Sequence, residues 1–370
     1  MAIPPMGCAL GSARIGLLMK APHPPRSPWQ LLYGGAHGLR RRWYRERAQR
    51  LPRPVVSVGN LHWGGTGKTP LVAAIGAHLR DRGLAVCILS RGYASRGRGV
   101  RVVSTGGGPL LGPLLAGDEP VLLAGELPGV AVVVGPERAQ AGRQALHRLE
   151  PTPDLFLLDD GFSHLALHRE LDLVAFPAAD PFAGGRLFPS GRLREPLSSI
   201  ARAHGVLLTG AAEAGAGRAL AEALRPYGFT GPGFASPTRP GRPRWIGNDP
   251  QGDRQAEELP EGLTVFLVSA VARPDSFTAT VRSLGYEIAG ELRFPDHHAY
   301  PADSLEKIEA GWTASGAAAV LTTSKDRVKL LGRLPAGLPL AELPVRSEPE
   351  PAFWEWLDGQ IDEIRRQRSS

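Results

Sequence analysis

Residues 54–69 read PVVSVGNLHWGGTGKT, an apolar run followed by a glycine-rich turn and then Lys68-Thr69. This order is typical of a strand, a phosphate-binding loop and the start of a helix. Small residues let backbone N–H groups close around phosphate oxygens, while the lysine reaches the outer phosphates and the hydroxyl holds Mg²⁺. We expect the following residues to bind a nucleoside triphosphate: Gly64, Gly65, Thr66, Gly67, Lys68 and Thr69.

One position departs from the usual loop spacing. The pattern G-x-x-x-x-G-K-[ST] would place its first glycine at position 62, where this chain has His62. Lysine usage nevertheless supports the loop, because only five of the 43 basic residues are lysines. A lysine kept in the glycine turn of an arginine-rich chain indicates that a compact ammonium group is needed there.

Length and cysteine content limit the class of protein. A chain of 370 residues is long enough for one large or two ordinary domains. Cys8 and Cys87 provide neither a disulfide framework nor a metal cluster, which fits a reducing compartment. Cys87 lies in an apolar run and is expected in the core. The sequence lacks an uninterrupted apolar stretch of about 18 residues, so a plain transmembrane helix is not expected.

The net charge of +7 is concentrated at one end of the chain. Residues 1–53, here called the basic arm, hold ten basic side chains and one acid, a net +9. The other 317 residues hold 33 basic and 35 acidic side chains, a net −2. This distribution argues against a broad nucleic-acid-binding face, and no nucleic-acid partner is expected.

The basic arm also interleaves aromatic and leucine residues with its arginines, in Trp29–Tyr33 and Leu39–Arg45. This composition is typical of a helix at a membrane surface, where rings lie at headgroup level and arginines face anionic lipid. A solvated basic helix packed on the body of the protein is the alternative.

Apolar runs of strand length recur along the chain and alternate with helix-length stretches. This pattern predicts an α/β fold of the P-loop NTPase type, with a mostly parallel sheet covered by helices on both faces and a second, smaller α/β domain. The runs are Val55–Val58, Leu84–Leu89, Val130–Val134, Leu155–Leu158, Leu171–Phe176 and Val206–Leu208.

Composition also predicts the domain boundaries. After the arm we expect a P-loop domain over 54–227, a Pro/Gly-rich linker over 228–262 and a C-terminal α/β domain over 263–370. The last is expected to contain strands near 263–268 and 318–322, a helix near 302–310 and a terminal helix over 353–366.

Asp159-Asp160 follows the apolar run at 155–158. Ligands in parallel sheets bind at the carboxyl ends of strands, so this pair is expected beside the phosphate loop, where it would hold Mg²⁺. Four further clusters are polar: Ser90-Arg91-Gly92-Tyr93, Gly117-Asp118-Glu119-Pro120, Arg194-Glu195-Pro196 and Phe294-Pro295-Asp296-His297-His298. Each alone is compatible with ordinary turn chemistry.

Taken in order, SVGNLHWGGTGKTP, SRGY, GDEP, LDDGFSH, LREP, FPDHH and TSKDRVK resemble the motifs of tetraacyldisaccharide 4′-kinase, the lipid A 4′-kinase of Gram-negative bacteria. The resemblance covers about residues 27–330. It implies a kinase that transfers the γ-phosphate of ATP to the 4′-hydroxyl of a tetraacylated glucosamine disaccharide 1-phosphate, a lipid A precursor. It also implies a peripheral or monotopic protein on the cytoplasmic face of the inner membrane, with no obligate protein partner and a second domain that closes over the active site.

Carried over motif by motif, the resemblance makes Lys68 the phosphate ligand and assigns Mg²⁺-ATP to Thr69 with Asp159 and Asp160. Asp118 becomes the general base, paired with a histidine of FPDHH, for which we choose His297 over His298. Which acid of the pair contacts the metal stays open. The remaining cleft residues are Arg91, Glu119, His164, Arg194 and Glu195.

Three positions depart from the family pattern. Ser163 stands where the family usually has Gln, so a hydrogen bond from that amide is expected to be shortened or lost. Arg192 replaces a proline, and Ala94 replaces a glycine. None of these changes removes a charged group of the predicted site.

Two other classes of protein compete with this interpretation. One is a P-loop GTPase or metallochaperone-like NTPase acting on a protein partner, but Thr323-Ser324-Lys325-Asp326 has the wrong spacing for guanine recognition and the cysteines do not form a metal cluster. The other is a non-catalytic membrane-binding module, in which the acids of GDEP and LDDG would have no role.

Overall fold

The computed structural model describes residues 34–35, 38–39, 42–44, 47–246, 257–335 and 337–369. Most of the basic arm, including Trp29–Tyr33, lies outside these ranges, so its predicted surface helix stays a prediction. No helix within the described ranges is long and apolar enough to cross a membrane. The chain forms two compact units, one ending at Thr238 and resuming at Ser347, the other spanning Arg239–Arg346.

The first unit is built on an eight-stranded sheet with the order β3-β4-β2-β5-β1-β6-β7-β8. All neighbouring strands are parallel except β3, which runs antiparallel to β4 at the edge. The predicted α/β fold with a mostly parallel sheet is confirmed. The strands are β1 (Val55–Gly59), β2 (Val86–Ser90), β3 (Arg101–Ser104), β4 (Ala131–Val134), β5 (Leu155–Asp159), β6 (Leu171–Pro177), β7 (Gly205–Thr209) and β8 (Gly233–Ser236).

Helices cover this sheet, and β5 shows why its strands are apolar throughout. Phe156 and Leu158 belong to a buried cluster with Ala141 and Ala145 of α4. The intervening Leu157 lies near Gly76 of α1. Successive side chains of a strand point to opposite faces, so both faces are buried. The helices are α1 (Lys68–Asp81), α2 (Pro113–Ala116), α3 (Asp118–Glu126), α4 (Arg138–Arg148) and α5 (Ala216–Leu224).

The structure differs from the predicted domain boundaries at both ends of the second unit. Residues 228–238, predicted as linker, include β8, because Phe234 and Ala235 are buried and pair with β7. The terminal helix α9 (Pro351–Ser369), predicted in the C-terminal domain, belongs to the first unit. Its Phe353 is fully buried, with its ring 5.4 Å from that of Phe234. β8 was hidden by the glycine at its start and by the prolines on either side of it, Pro232 and Pro237. The sequence of a helix does not indicate which sheet it covers.

The second unit contains a five-stranded sheet with the order β10-β14-β13-β11-β12. Its strands are parallel except for β10 against β14. Strands β9 (Thr238–Pro240) and β15 (Val345–Ser347) form a separate two-stranded sheet. The remaining elements are β10 (Arg244–Trp245), β11 (Thr264–Ser269), α6 (Pro274–Ser283), β12 (Glu287–Arg293), α7 (Ala302–Ser315), β13 (Ala319–Thr323), α8 (Ser324–Leu330) and β14 (Leu340–Leu343).

The packing of α9 predicts that the end of the chain stabilises the first unit. Phe353→Ala should lower the free energy of unfolding by about 3–5 kcal/mol, because the change leaves a cavity among buried aromatic rings. Urea denaturation measures this loss. Glu355→Ala, an exposed position on the same helix, is the control and should stay within about 0.5 kcal/mol of the parent. A loss below about 1 kcal/mol at Phe353 would contradict the assignment of α9.

Candidate active site

The phosphate loop joins β1 to α1. Gly64 and Gly67 have φ of 100° and 72°, in the left-handed region that favours glycine. Helix α1 begins at Lys68 and has no side-chain cap, so its first N–H groups face the loop. Such a helix N-terminus is suited to phosphate oxygens.

Two polar residues that the sequence analysis did not single out hold this loop. The Asn60 amide donates to Thr66 Oγ1 at 2.9 Å, and both side chains are buried. The Thr209 hydroxyl, at the end of β7, donates to the Thr66 carbonyl at 2.7 Å. The loop is therefore tied to the ends of β1 and β7.

His62, which occupies the position of the usual first glycine, has a structural role. Its ring is buried and lies edge-on to Phe176, with ring centroids 5.7 Å apart. Burial lowers the pKa of His62 to about 4, so the imidazole is neutral. The flanking backbone bonds to the LREP loop: Trp63 N–H donates to Arg192 O, and Arg194 N–H donates to Leu61 O, both at 2.7 Å. This pairing brings Arg194 to the phosphate loop.

Asp160 joins the loop to the LREP segment through two ion pairs. Its carboxylate accepts from Lys68 Nζ and from the Arg194 guanidinium, each at 2.8 Å. Burial alone would raise the pKa of Asp160, but Lys68 and Arg194 outweigh burial and hold the pKa below its ordinary value. Asp160 itself has a positive φ of 53°. The acid is ionised and balanced by two cations.

Asp159, one residue earlier, lies in a very different environment. Its carboxylate is buried at the end of β5 and accepts from Ser90 Oγ at 3.2 Å through Oδ2, while buried Oδ1 has no hydrogen-bond partner. Burial, followed by the charges of Glu119 and Asp160, raises the pKa of Asp159 to about 7. An orphaned carboxylate oxygen among other acids is suited to a hard cation. Within the described ranges, however, no three His, Cys, Asp or Glu side chains form a ready metal cluster.

The SRGY and GDEP segments lie against each other through their glycines. Gly92 and Gly117 have φ of 69° and 93°. A Cβ on Gly117 would lie 2.9 Å from the Tyr93 carbonyl oxygen, so a side chain there would force the segments apart. Asp118 and Glu119 form the first turn of α3. The charge of Glu119 helps to raise the pKa of Asp159, so this turn lies within electrostatic range of the acid pair.

Glu195 of the LREP motif is held by residues from two other segments. It is buried, accepts from Ser163 Oγ at 2.5 Å and forms an ion pair with Arg202 at 2.8 Å. The Arg202 guanidinium also lies 4.3 Å from the centre of the Phe162 ring. Ser163 therefore makes a direct hydrogen bond within the site despite its short side chain.

Arg138 is a candidate that the sequence analysis missed. It begins α4 and is 5% exposed, and its guanidinium donates to the Pro136 carbonyl at 2.8 Å. Burial, followed by the positive charge of Arg91, lowers the pKa of Arg138 to about 10, while Asp160 and Asp159 raise it. A buried cation within the field of both acids belongs to this site electrostatically. Its position after β4 was the available signal.

The two remaining predicted residues are His164 and His297. His164 is half-buried in the turn after the acid pair, where its N–H donates to the Gly161 carbonyl at 2.9 Å. His297 belongs to the second unit, where Lys325 Nζ lies 3.3 Å from its Nε2 and 2.8 Å from Asp296 Oδ1. The TSKD and FPDHH motifs thus meet. The pairing of Asp118 with His297 joins residues of different units and stays a prediction.

The first unit therefore brings most of the predicted residues together at the carboxyl ends of its parallel strands. Lys68, Asp160 and Arg194 are joined by direct ion pairs. Arg91, Glu119 and Asp159 are linked to them through the electrostatic couplings described above. The roles of these residues in catalysis stay predictions.

The contrasting environments of the two acids predict opposite effects on stability. Because the pKa of Asp159 is raised in the folded chain, the free energy of unfolding falls as pH rises from about 4, the ordinary aspartate value, to about 7. Asp159→Asn removes this penalty, so the variant should exceed the parent in stability at pH 8 and approach it near pH 4. Asp160→Asn should instead destabilise the chain at neutral pH, since Lys68 and Arg194 lose their counter-ion. Urea denaturation without nucleotide or divalent cation measures both, and equal destabilisation of both variants at pH 8 would contradict the contrast.

Known proteins resemble this chain over most of its length. The family model for tetraacyldisaccharide-1-P 4'-kinase matches residues 26–362. A tetraacyldisaccharide 4'-kinase of Anaeromyxobacter dehalogenans strain 2CP-C is 44% identical over 76% of this chain and 74% of its own. The tetraacyldisaccharide 4'-kinase of Syntrophus aciditrophicus is 36% identical over 90% of this chain and 93% of its own length. The crystal structure of LpxK from Aquifex aeolicus in complex with ATP superposes with a TM-score of 0.69 at 30% identity and covers 91% of this chain and 97% of its own. The chain therefore belongs to the tetraacyldisaccharide-1-P 4'-kinase family.

Proposed function

We propose that the chain transfers the γ-phosphate of ATP to the 4′-hydroxyl of a tetraacylated glucosamine disaccharide 1-phosphate in lipid A biosynthesis. The observation that carries this proposal is the phosphate loop whose lysine pairs with the acid after β5, in a chain that belongs to the 4'-kinase family. The family assignment does not favour a GTPase or metallochaperone-like NTPase.

The phosphates of ATP would bind at the N-terminus of α1. Backbone N–H groups of the loop and Lys68 would contact the phosphate oxygens, in the manner of other P-loop proteins. The hydrogen bond from Lys68 to Asp160 supports this role, because it orients the ammonium group at the start of α1. The solved relative from Aquifex aeolicus is a complex with ATP, which supports this nucleotide.

Asp159 would hold Mg²⁺, together with the Thr69 hydroxyl. This assignment is supported by the buried Oδ1 that lacks a hydrogen-bond partner and by the neighbouring acids. When bound, Mg²⁺ would neutralise charge on the β- and γ-phosphates. Asp160 would act differently, because both of its oxygens already accept from Lys68 and Arg194. We therefore assign Asp159 as the metal ligand and Asp160 as the residue that orients the two cations.

Asp118 would accept the proton of the sugar hydroxyl as the new P–O bond forms. A hydroxyl is a weak nucleophile at neutral pH, and a positioned carboxylate lowers the barrier by removing its proton. His297 would orient this carboxylate. The environment of His298 supports the choice of His297 over His298. The His298 ring stacks on Phe294, with centroids 4.6 Å apart, and contacts Ser304 Oγ at 2.9 Å. A histidine from the second unit would couple domain closure to assembly of the site.

Cationic side chains would balance the phosphate charges of nucleotide and lipid. Arg194 pairs with Asp160, Arg138 lies in the field of both acids, and the charge of Arg91 acts on Arg138. Planar guanidinium groups match phosphate oxygens in pairs of hydrogen bonds. Glu119, His164 and Glu195 would complete the cleft, with Glu195 fixing the LREP segment through Ser163 and Arg202 rather than contacting phosphate.

Membrane association completes the proposed function. The basic arm, with its aromatic residues between arginines, would lie at the cytoplasmic face of the inner membrane and place the site at the level of lipid headgroups. We propose a peripheral or monotopic protein without an obligate protein partner.

Asp118→Asn should abolish phosphate transfer while leaving ATP affinity within about threefold of the parent. Losing a general base lowers turnover by about 10²-fold or more, whereas nucleotide binding depends on the loop. The assay incubates ATP and a tetraacyl disaccharide 1-phosphate with the protein and detects a mass gain of one phosphate, while calorimetry measures ATP binding. Asp81→Asn, at an acid paired with Arg80 at the end of α1, is the control and should turn over normally. Near-normal turnover by Asp118→Asn would remove it as the base, and no mass gain with the parent would overturn the proposed function.

Deletion of residues 1–50 should move the protein from the membrane fraction toward the soluble fraction. The deletion removes most of the basic and aromatic side chains that we assign to the bilayer surface. Fractionation of cells expressing either form measures the distribution. Unchanged partitioning would refute a dominant role of the basic arm.

A further inference from the structure

The first unit exposes a group of leucines at the edge of its sheet. Leu110, Leu114 and Leu115 are 63%, 59% and 47% exposed. Single exposed leucines are common on protein surfaces and need no explanation. Three exposed leucines within six residues, shortly before the proposed catalytic turn, are typical of a surface that contacts a partner.

Two arginines lie with these leucines, and hydrogen bonds fix the arrangement. The Arg96 N–H donates to the Leu114 carbonyl at 2.9 Å, so the segment around Arg96 and Arg98 lies against α2. The Leu110 N–H donates to the Val103 carbonyl at 2.7 Å, which ties the loop before α2 to the edge strand β3. Both arginines are exposed. We call the surface of Arg96, Arg98, Leu110, Leu114 and Leu115 the leucine face.

The stretch of sequence that carries the leucine face has charged side chains of one sign. The stretch 91–117 contains four arginines and neither aspartate nor glutamate. This contrasts with the near-neutral balance of the chain beyond the basic arm. A surface that combines exposed leucines with unopposed arginines complements a bilayer with anionic headgroups, because leucines enter the acyl boundary while guanidinium groups stay at the phosphates.

We propose that the leucine face is a second membrane contact, separate from the basic arm, which docks the first unit onto an anionic bilayer. The proposal rests on the proposed function only for the lipid nature of the substrate. Leu115 precedes Asp118 by three residues, and Tyr93, which is 62% exposed, has its carbonyl beside Gly117. A tyrosine at this position suits headgroup level. Docking through this face would hold the GDEP turn close to the headgroups, where a sugar hydroxyl of a membrane lipid is found.

A local probe in the full chain separates this contact from the basic arm. The variant Leu114→Cys, made together with Cys8→Ser, is labelled at position 114 with an environment-sensitive fluorophore such as nitrobenzoxadiazole. Cys87 is buried, so it does not react with the label. Vesicles of phosphatidylglycerol and phosphatidylethanolamine are added without substrate or nucleotide. The emission should shift to the blue as the label enters the apolar region. The same label at Leu331→Cys, where the parent leucine is 45% exposed in the second unit, is the matched control and should not shift.

The contribution of charge is tested in the labelled protein. Arg96→Gln with Arg98→Gln should raise the vesicle concentration for half-maximal shift about tenfold or more, since each arginine near an anionic surface contributes to binding. Arg148→Gln with Arg218→Gln, which changes net charge equally at exposed positions on other helices, should have a much smaller effect.

Several outcomes would overturn the proposal. Cosedimentation with vesicles without a shift at position 114 would show that the basic arm alone binds. An equal shift at position 331 would show non-specific adsorption. A shift with neutral vesicles as large as with anionic ones would overturn the role of the arginines. Because the vesicles contain no substrate, these results are independent of whether the kinase assay detects phosphate transfer.

Discussion

The two ion pairs of Asp160 join the parts of the candidate site that come from distant points in the chain. Lys68 opens α1, Asp160 follows β5, and Arg194 belongs to the LREP loop. A carboxylate placed between two cations is held ionised, and in turn it orients both cations. Without this carboxylate, an ammonium and a guanidinium would repel each other across the region where phosphate is proposed to bind. Fixed positions of charged groups of this kind are what phosphoryl transfer requires of a catalyst.

The two adjacent acids, Asp159 and Asp160, have unlike environments. Asp160 has two cationic partners, so its pKa is depressed, whereas Asp159 is buried beside other acids, so its pKa is raised. Such divergence is typical of functional carboxylates, and it costs stability at the buried member. The sequence alone left open which of the two would contact Mg²⁺. The hydrogen-bond pattern supports Asp159, since only its Oδ1 is both buried and unpartnered within this pair.

The features that could be predicted from sequence follow from periodicity and from strand ends. The six apolar runs in the sequence correspond to six strands of the first sheet. The phosphate loop and the acid pair lie at the carboxyl ends of β1 and β5, as expected for ligand sites in parallel sheets. The same rule, applied to every strand, would also have found Asn60, Arg138 and Thr209. Other features depend on tertiary contacts that no local pattern records. The Ser163–Glu195 hydrogen bond and the packing of α9 on the first unit are of this kind.

The path of the chain around α2 and α3 connects the proposed membrane contact to the proposed base. Leu114 and Leu115 are exposed, and Gly117 lies against the Tyr93 carbonyl. Asp118 then begins a helix whose first turn includes Glu119, the acid whose charge acts on Asp159. Only Ala116 and Gly117 separate the apolar surface from the proposed base. An amphiphilic substrate has the same order of parts, with acyl chains followed by a polar headgroup. A flexible connection between the membrane contact and the base would let the position of the substrate hydroxyl vary relative to Asp118. A two-residue connection, fixed by the close contact of Gly117 with the backbone of Gly92 and Tyr93, would instead hold the Asp118 carboxylate at a constant height above a bilayer bound by the leucine face.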